Sequence, residues 1–500
     1  MEQIMSKYEE YKVLRNKLRK YDTLSIILLC IGKLHEISKK PVYENTAYLP
    51  WELLYLIKIA FLEAGKNEQR VAVINDINNM LNLIKDLGNE ARFLNGDSGG
   101  LRKFMRLMSF QQFWCQRGLN SNDMARQVVI YDNVDCEDLN DKFIAITGMP
   151  IMLYLRLLIA SWMGFIDDSG RISLTKNWFS TLKYPDETIE YFLQSVSLPA
   201  TGAIDFIEKH YEKTDDKLLQ LTEQTPLKQY PFLKVGNDYY CYSPFVLQEK
   251  IKHVIYDLLK TEYGDKFTQK FGTLYEQYIY RLMDECGLKY LKESELIDIF
   301  KKKRVCDAII ELEDMVIILE IKGVEMHPFA QINPTNAFLT KQLKTSIVKS
   351  FEQIYEVANM LNTTENGQAI LKGRTAFAIV VTYKEMYLSD GKDAWDEFLA
   401  EPLQAYFNEK GLDASFIPQQ NILFASVNTF ERFIKIILAN STNILSQIVR
   451  NAVEDNSNPA TKKHVLEMHL SPYANVPIPL LEEAFDSITS ELEVRLKGEK

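Results

Sequence analysis

Asp307, Glu320 and Lys322 are the residues whose types and spacing best suit chemistry in this chain. Five apolar residues, 315–319, run straight into Glu320, and only Ile321 separates Glu320 from Lys322. Such a run predicts a strand buried on both faces. Side chains alternate along a strand, so Glu320 and Lys322 point to one side, and Leu319 and Ile321 to the other. Two charges at the end of a buried strand cost several kcal/mol per ion unless each finds a partner. Upstream, residues 304–312 predict a second apolar strand interrupted by Asp307, joined to the first by a short charged turn at Glu313 and Asp314. Antiparallel pairing about that turn brings Asp307 roughly opposite Glu320. Two carboxylates and one ammonium then share a small patch. The carboxylates repel each other, so the patch calls for a counterion, and hard oxygen donors suit Mg²⁺ or Mn²⁺.

These strands need elements to hold them. Residues 271–287 predict a helix with Gly287 just past its end, a helix-stopping position. Glu276 lies one turn after Gly272, which leaves room for close backbone approach. A further helix, at about 336–361, aligns Gln342, Ser346, Lys349 and Gln353 in one polar stripe. Leu343, Ile347, Ile354 and Ala358 form the apolar stripe beside it.

The order of these residues resembles the PD-(D/E)XK nuclease superfamily, the restriction-endonuclease-like fold. The match is carried by Glu276 on the first helix, Asp307 on the second strand, Glu320-Ile-Lys322 on the third, and Gln353-Ile-Tyr355 on the next helix. It covers about residues 265–385, where 376–382 would add a core strand, and does not reach the first 230 residues. Cys306 stands where the eponymous proline would be, a substitution that superfamily tolerates, and the glutamine helix matches only loosely. The resemblance implies that Asp307, Glu320 and the backbone carbonyl of Ile321 hold a divalent metal, with Glu276 anchoring a second metal or a water. Lys322 would orient or help deprotonate the attacking water, or neutralise the phosphate. Gln353, with Lys349, would touch the phosphate or that water. The implied activity is a Mg²⁺-dependent (or Mn²⁺-dependent) endonuclease acting on DNA, with host defence against foreign DNA as its setting. RNA stays open as substrate, since the motif does not distinguish sugars.

Plainer readings stand beside these. Asp307 and Lys322 would serve as a buried ion pair without chemistry, although such pairs seldom improve on apolar packing. Glu276 and Gln353 would be solvated helix residues, as charged and amide side chains mostly are. An inert or partner-licensed nucleic-acid-binding scaffold is the corresponding alternative function. His327, a loop histidine without evident partners, is not taken as a ligand.

Composition sets the frame. The chain has 500 residues, 46% hydrophobic and 25% charged, with a net charge of -10. This excludes a mainly disordered or collagen-like protein and gives a prior of two to four domains. An acidic whole does not exclude nucleic acid where a local surface is basic. Residues 300–350 carry eight Lys or Arg against six Asp or Glu, so the segment is +2 and the remainder −12. Lys301, Lys302, Lys303 and Arg304 run directly into the Asp307 strand, either to meet a phosphate backbone or as an ordinary solvated loop.

The predicted fold class is α/β (α+β): a restriction-endonuclease-like core at 231–430, a large all-α region at 1–230, and a helical C-terminal segment at 431–500. Residues 164–175 read as a helix end followed by a hairpin, in the manner of a winged helix. Its acidic tip at Asp167 and Asp168 suits a protein partner better than DNA. The helical region is expected to mediate homo-oligomerisation or to dock a partner protein. Six cysteines are scattered singly, which disfavours a zinc ribbon and a disulfide framework. No export leader is visible. The longest apolar stretch, 149–166, has Arg156 in its middle, so no membrane span is expected and a cytoplasmic location is the natural reading. No P-loop, H-E-x-x-H or G-x-S-x-G context occurs.

Overall fold

The computed structural model describes residues 2–41, 44, 47–66, 70–88, 100–116, 118–131, 136–166, 170–211, 219–332 and 335–497. Among these, 21 α-helices and two small mixed sheets give an α+β chain. It divides into two compact units, Met1–Tyr263 with Glu483–Lys500, and Gly264–Glu482.

The first unit is mainly helical. Leu14, Ile27, Leu53, Ile57 and Leu233 belong to one buried cluster within it. Its sheet comprises β1 (Ser173–Thr175), β2 (Ser197–Pro199), β3 (Phe232–Val235) and β4 (Asp238–Cys241), in the order β1-β4-β3-β2. β3 and β4 form a hairpin around Gly236, which takes a left-handed φ of 61°. The domain boundary expected near residue 230 lies elsewhere. β4 pairs antiparallel with β1 and β3 pairs parallel with β2, so the hairpin completes the first unit's sheet. The units divide instead after Tyr263, inside the 42-residue helix Pro244–Glu285.

Two further expectations are corrected. The helix Ile151–Ile166 absorbs the first strand of the winged-helix-like hairpin. Residues 167–169, including the acidic tip, lie outside the described residues. β1 then pairs with the distant β4 and buries Leu174 there. Nor is 431–500 a segment of its own. The helices Val427–Ala439 and Ile444–Ser457 belong to the second unit, whereas most of Pro479–Lys497 belongs to the first. There Arg156, the charge inside the apolar stretch, donates to the Ser487 and Ile488 carbonyls. Among the described residues no single helix is long and apolar enough to cross a membrane.

The second unit is built on β5 (Tyr290–Lys292), β6 (Ala308–Glu311), β7 (Met315–Lys322), β8 (Thr375–Thr382) and β9 (Ile422–Ser426), adjacent in that order. β5, β6 and β7 form an antiparallel meander, while β7, β8 and β9 run parallel. The central strands are buried throughout residues 315–321 and 376–382, as the apolar runs require. Each aliphatic side chain so buried contributes about 1.5–3 kcal/mol. The crossover from β7 to β8 carries the helix Lys349–Thr363, which packs on both strands. It is preceded by the helix Asn336–Gln342 and a π-helical turn, Lys344–Val348. The extra residue of a π-turn shifts the helical period, so the predicted polar stripe is broken and Ser346 is buried.

Two glycines mark close approaches. A methyl at Gly323, just after β7, would meet the Phe271 ring at 3.0 Å and Gly272 Cα at 3.5 Å, whereas one at Gly272 would meet nothing within 4 Å. The close approach is therefore demanded by Gly323 and not by Gly272. At Gly367, Thr364 Oγ1 accepts the backbone N–H and turns the helix Glu365–Leu371 back on its predecessor. A methyl there would overlap the Met360 carbonyl and lie 2.6 Å from Leu361 Cα, both backbone. Gly367→Ala should therefore destabilise the second unit by about 1–3 kcal/mol, lowering its Tm by roughly 3–10 °C. Gly272→Ala, in an open helical position, should be neutral or stabilising by up to about 1 kcal/mol. Differential scanning calorimetry of the two variants checks the contrast.

Candidate active site

The β6–β7 ladder sets the site. Its register runs from Glu311↔Val316 to Ala308↔Leu319. One residue further, Asp307 comes opposite Glu320, as the turn position predicts. The backbone at Asp307 has left the ladder, and its carboxylate takes the next rung: Oδ2 accepts the Ile321 N–H at 2.5 Å. Lys322 completes the cluster, with Nζ 2.6 Å from Glu320 Oε2 and 3.4 Å from Asp307 Oδ2. Asp307, Glu320 and Lys322 thus come together.

Their environments differ. The Glu320 side chain is 0% exposed, while Asp307 and Lys322 keep 13% and 18%. The Lys322 ammonium is within charge-assisted hydrogen-bond reach of Glu320 Oε2, while the buried Oε1 has no hydrogen-bond partner among the described residues. Burial pushes the Glu320 carboxyl well above the usual carboxylate range; Lys322 opposes the shift and Asp307 adds to it. For Lys322, burial alone would lower the pKa. The Glu320 and Asp307 carboxylates outweigh it, and the ammonium is held protonated above the usual lysine range.

Glu276 reaches the patch through a residue that sequence reasoning missed. Tyr280, one turn later on Pro244–Glu285, has its hydroxyl 2.7 Å from Glu276 Oε1 and 2.7 Å from the Asp307 carbonyl oxygen. One phenol proton cannot serve two acceptors fully. Burial raises the Glu276 carboxyl, Tyr280 opposes that shift, and Asp307 reinforces it. The i, i+4 spacing of Glu276 and Tyr280 is the signal that would have found the pair. Tyr280 also stacks on Tyr290 of β5 at 5.7 Å, tying the helix to the sheet. A second missed residue, Glu293, opens the helix Glu293–Phe300. Its carboxyl is raised by burial and then by the Asp307 charge.

Gln353 is not among the carboxylates. Its Nε2 donates to the Val305 carbonyl at 2.9 Å and so steadies the backbone that leads into Asp307. Tyr355, two residues on, is wholly buried against Trp395 and Phe407 and serves the core. His327 Nδ1 accepts the Phe329 N–H within its own turn.

Among the described residues no group of three or more His, Cys, Asp or Glu is arranged as a metal site. The donor chemistry at Asp307 and Glu320 does fit a hard divalent cation. Both are carboxylates, and the buried Oε1 of Glu320 has no hydrogen-bond partner among the described residues, a costly arrangement for a polar group. Comparisons with family models, curated proteins and solved structures return no match to this chain.

The buried carboxylate has a consequence for stability. Its folded pKa lies above the unfolded value of about 4.3, so the charged form costs stability as pH rises above that value. Glu320→Gln in metal-free buffer should therefore raise the Tm at pH 8 by about 2–4 °C, the scale of 1 kcal/mol in a unit of this size. The gain should shrink at pH 5. Thermal melts at both pH values check it, and a lower Tm at pH 8 would mean that attraction to Lys322 outweighs burial.

Proposed function

We propose that this chain is a metal-dependent nuclease that hydrolyses phosphodiester bonds in DNA, using a restriction-endonuclease-like core within the second unit. The observation that carries the reading is Glu320, a fully buried carboxylate whose Oε1 has no hydrogen-bond partner among the described residues, set beside Asp307 and 2.6 Å from the Lys322 ammonium. The element order supports it. A helix bearing Glu276 leads into a three-strand meander, with Asp307 just before its second strand and Glu320-Ile-Lys322 at the end of its third. A helix bearing Gln353 then crosses to a parallel strand. This is the order implied by the PD-(D/E)XK resemblance.

In this reading Asp307, Glu320 and the Ile321 carbonyl hold Mg²⁺ or Mn²⁺, and Glu276 lies at the edge of the same site. The cation, when bound, offsets negative charge on the phosphoryl group and lowers the pKa of water beside it. Lys322, held protonated, acts as a hydrogen-bond donor and positive charge, and not as the proton acceptor. It steadies the phosphate oxygens as charge grows on them. Tyr280 fixes Glu276 relative to the Asp307 backbone, and Gln353 steadies the segment before Asp307. The helical first unit is the part we assign to self-association or to docking a partner protein. Host defence against foreign DNA, in the cytoplasm, is the setting by analogy of fold alone.

One observation favours a rival. Lys322 already neutralises part of the carboxylate charge, as it would in an inert or partner-licensed nucleic-acid-binding scaffold. Incubation with plasmid DNA in Mg²⁺ or Mn²⁺, against EDTA, separates the two, with a parallel RNA substrate to test the sugar. Asp307→Ala and Lys322→Ala should each reduce cleavage by about 10²-fold or more, the scale of a lost catalytic group. Equal cleavage by wild type and both variants overturns the proposal, and DNA binding without cleavage favours the rival.

A further inference from the structure

We infer that Lys301, Lys302, Lys303 and Arg304 form a surface that grips the phosphate backbone of a polynucleotide beside the Asp307 patch. The identity of the polyanion rests on the nuclease reading; the surface itself rests on separate observations.

All four side chains are exposed, in a chain whose net charge is -10. None of the four makes an ion pair with any described residue. Other cations of the second unit do pair: Arg374 and Lys372 with Glu311, Lys384 with Glu325, and Arg450 with Asp314. Four adjacent uncompensated cations repel one another and leave a local positive field, which an external polyanion would relieve.

The backbone holds this run in place. Asn366 Nδ2 donates to the Ile299 carbonyl at 2.7 Å on one side, and Gln353 Nε2 to the Val305 carbonyl at 2.9 Å on the other. Between these anchors Lys301 ends the helix Glu293–Phe300 with a left-handed φ of 53°. Glycine adopts that conformation without the steric cost a lysine bears. A charged side chain is thus kept where a neutral residue would fit the backbone better.

The geometry suits a substrate strand. Two residues, Val305 and Cys306, separate Arg304 from Asp307, a span of at most about 10 Å, so a phosphate held by the run is a near neighbour of the carboxylates. The run itself extends over a similar length. Each strand of a duplex carries one phosphate per about 3.4 Å of helix axis, so a run of this length spans at most about three phosphates. Lysine and arginine on phosphate read no base, so this surface positions the strand without selecting sequence.

The test measures binding apart from cleavage. Fluorescence anisotropy with labelled DNA and RNA duplexes of one sequence, in EDTA, is followed from 50 to 200 mM KCl. Wild type is compared with Asp307→Ala and with the combined Lys301→Gln, Lys302→Gln, Lys303→Gln, Arg304→Gln variant, whose thermal melt verifies folding. The combined variant should bind at least about 10-fold more weakly at 150 mM salt. Its slope of log K against log salt should be shallower by about 3. Asp307→Ala, which removes a negative charge, should bind at least as tightly as wild type. Unchanged affinity and slope in the combined variant overturn the surface while leaving the nuclease reading intact. Wild type that binds anionic vesicles but neither duplex also overturns it, in favour of a membrane surface. Salt-sensitive binding lost in the combined variant, with no cleavage by wild type in Mg²⁺, upholds the surface and sinks the nuclease reading.

Discussion

The second unit is organised around one electrostatic problem: a glutamate fully buried at the end of an apolar strand. Hydrophobic burial drives residues 315–321 into the centre of the sheet, and Glu320 is carried in with them. An uncompensated carboxylate there would cost several kcal/mol. Lys322, two residues on and therefore on the same side of the strand, brings its ammonium to 2.6 Å, and Asp307 shares that ammonium from the neighbouring strand. The compensation is incomplete, since two carboxylates face one cation and Glu320 Oε1 has no hydrogen-bond partner among the described residues. In the proposed reading, a divalent cation makes up that shortfall of positive charge.

The surrounding elements keep that imbalance from relaxing. Asp307 cannot swing away freely, because its carboxylate replaces a rung of the ladder at Ile321 and its carbonyl faces Tyr280. Tyr280 is fixed by stacking on Tyr290 of the first strand in the meander. Tyr275, from the same helix, donates to the Thr382 carbonyl at the end of the neighbouring central strand. Gln353 steadies the backbone ahead of Asp307 from the crossover helix. The contacts form a closed circuit around the carboxylates, which is how preorganised sites resist collapse. The exposed basic run lies outside that circuit and is free to meet a large ligand.

Much of the site was legible because it rests on local rules. An apolar run ending in Glu-x-Lys implies a buried strand with both charges on one side, and a short turn sets which residue comes opposite. Those two facts bring Asp307 to Glu320, and the observed register agrees. Tyr280 was not legible as a partner of Asp307, because its contact spans 27 residues and depends on how a helix meets a strand. Gln353 was visible as polar on its helix, yet its target, a backbone carbonyl, carries no mark in the sequence. The π-helical turn before it also escaped, since one extra residue in a helix leaves the apolar pattern nearly intact on either side.

The amino-acid sequence by itself determined the alternation of the central strands, the antiparallel turn between β6 and β7, the positions of the charged residues and the mainly helical character of the first 230 residues. These follow from backbone periodicity and side-chain hydrophobicity, which act over a few residues. Only the tertiary structure decided that the hairpin at β3 and β4 completes the first unit's sheet, and that the last helix returns to that unit. It alone decided, too, that Tyr280 joins Glu276 to Asp307 and that Glu320 Oε1 is buried without a hydrogen-bond partner among the described residues. Each of these depends on which distant surfaces bury each other, a choice made by the whole chain and not by any one segment of it.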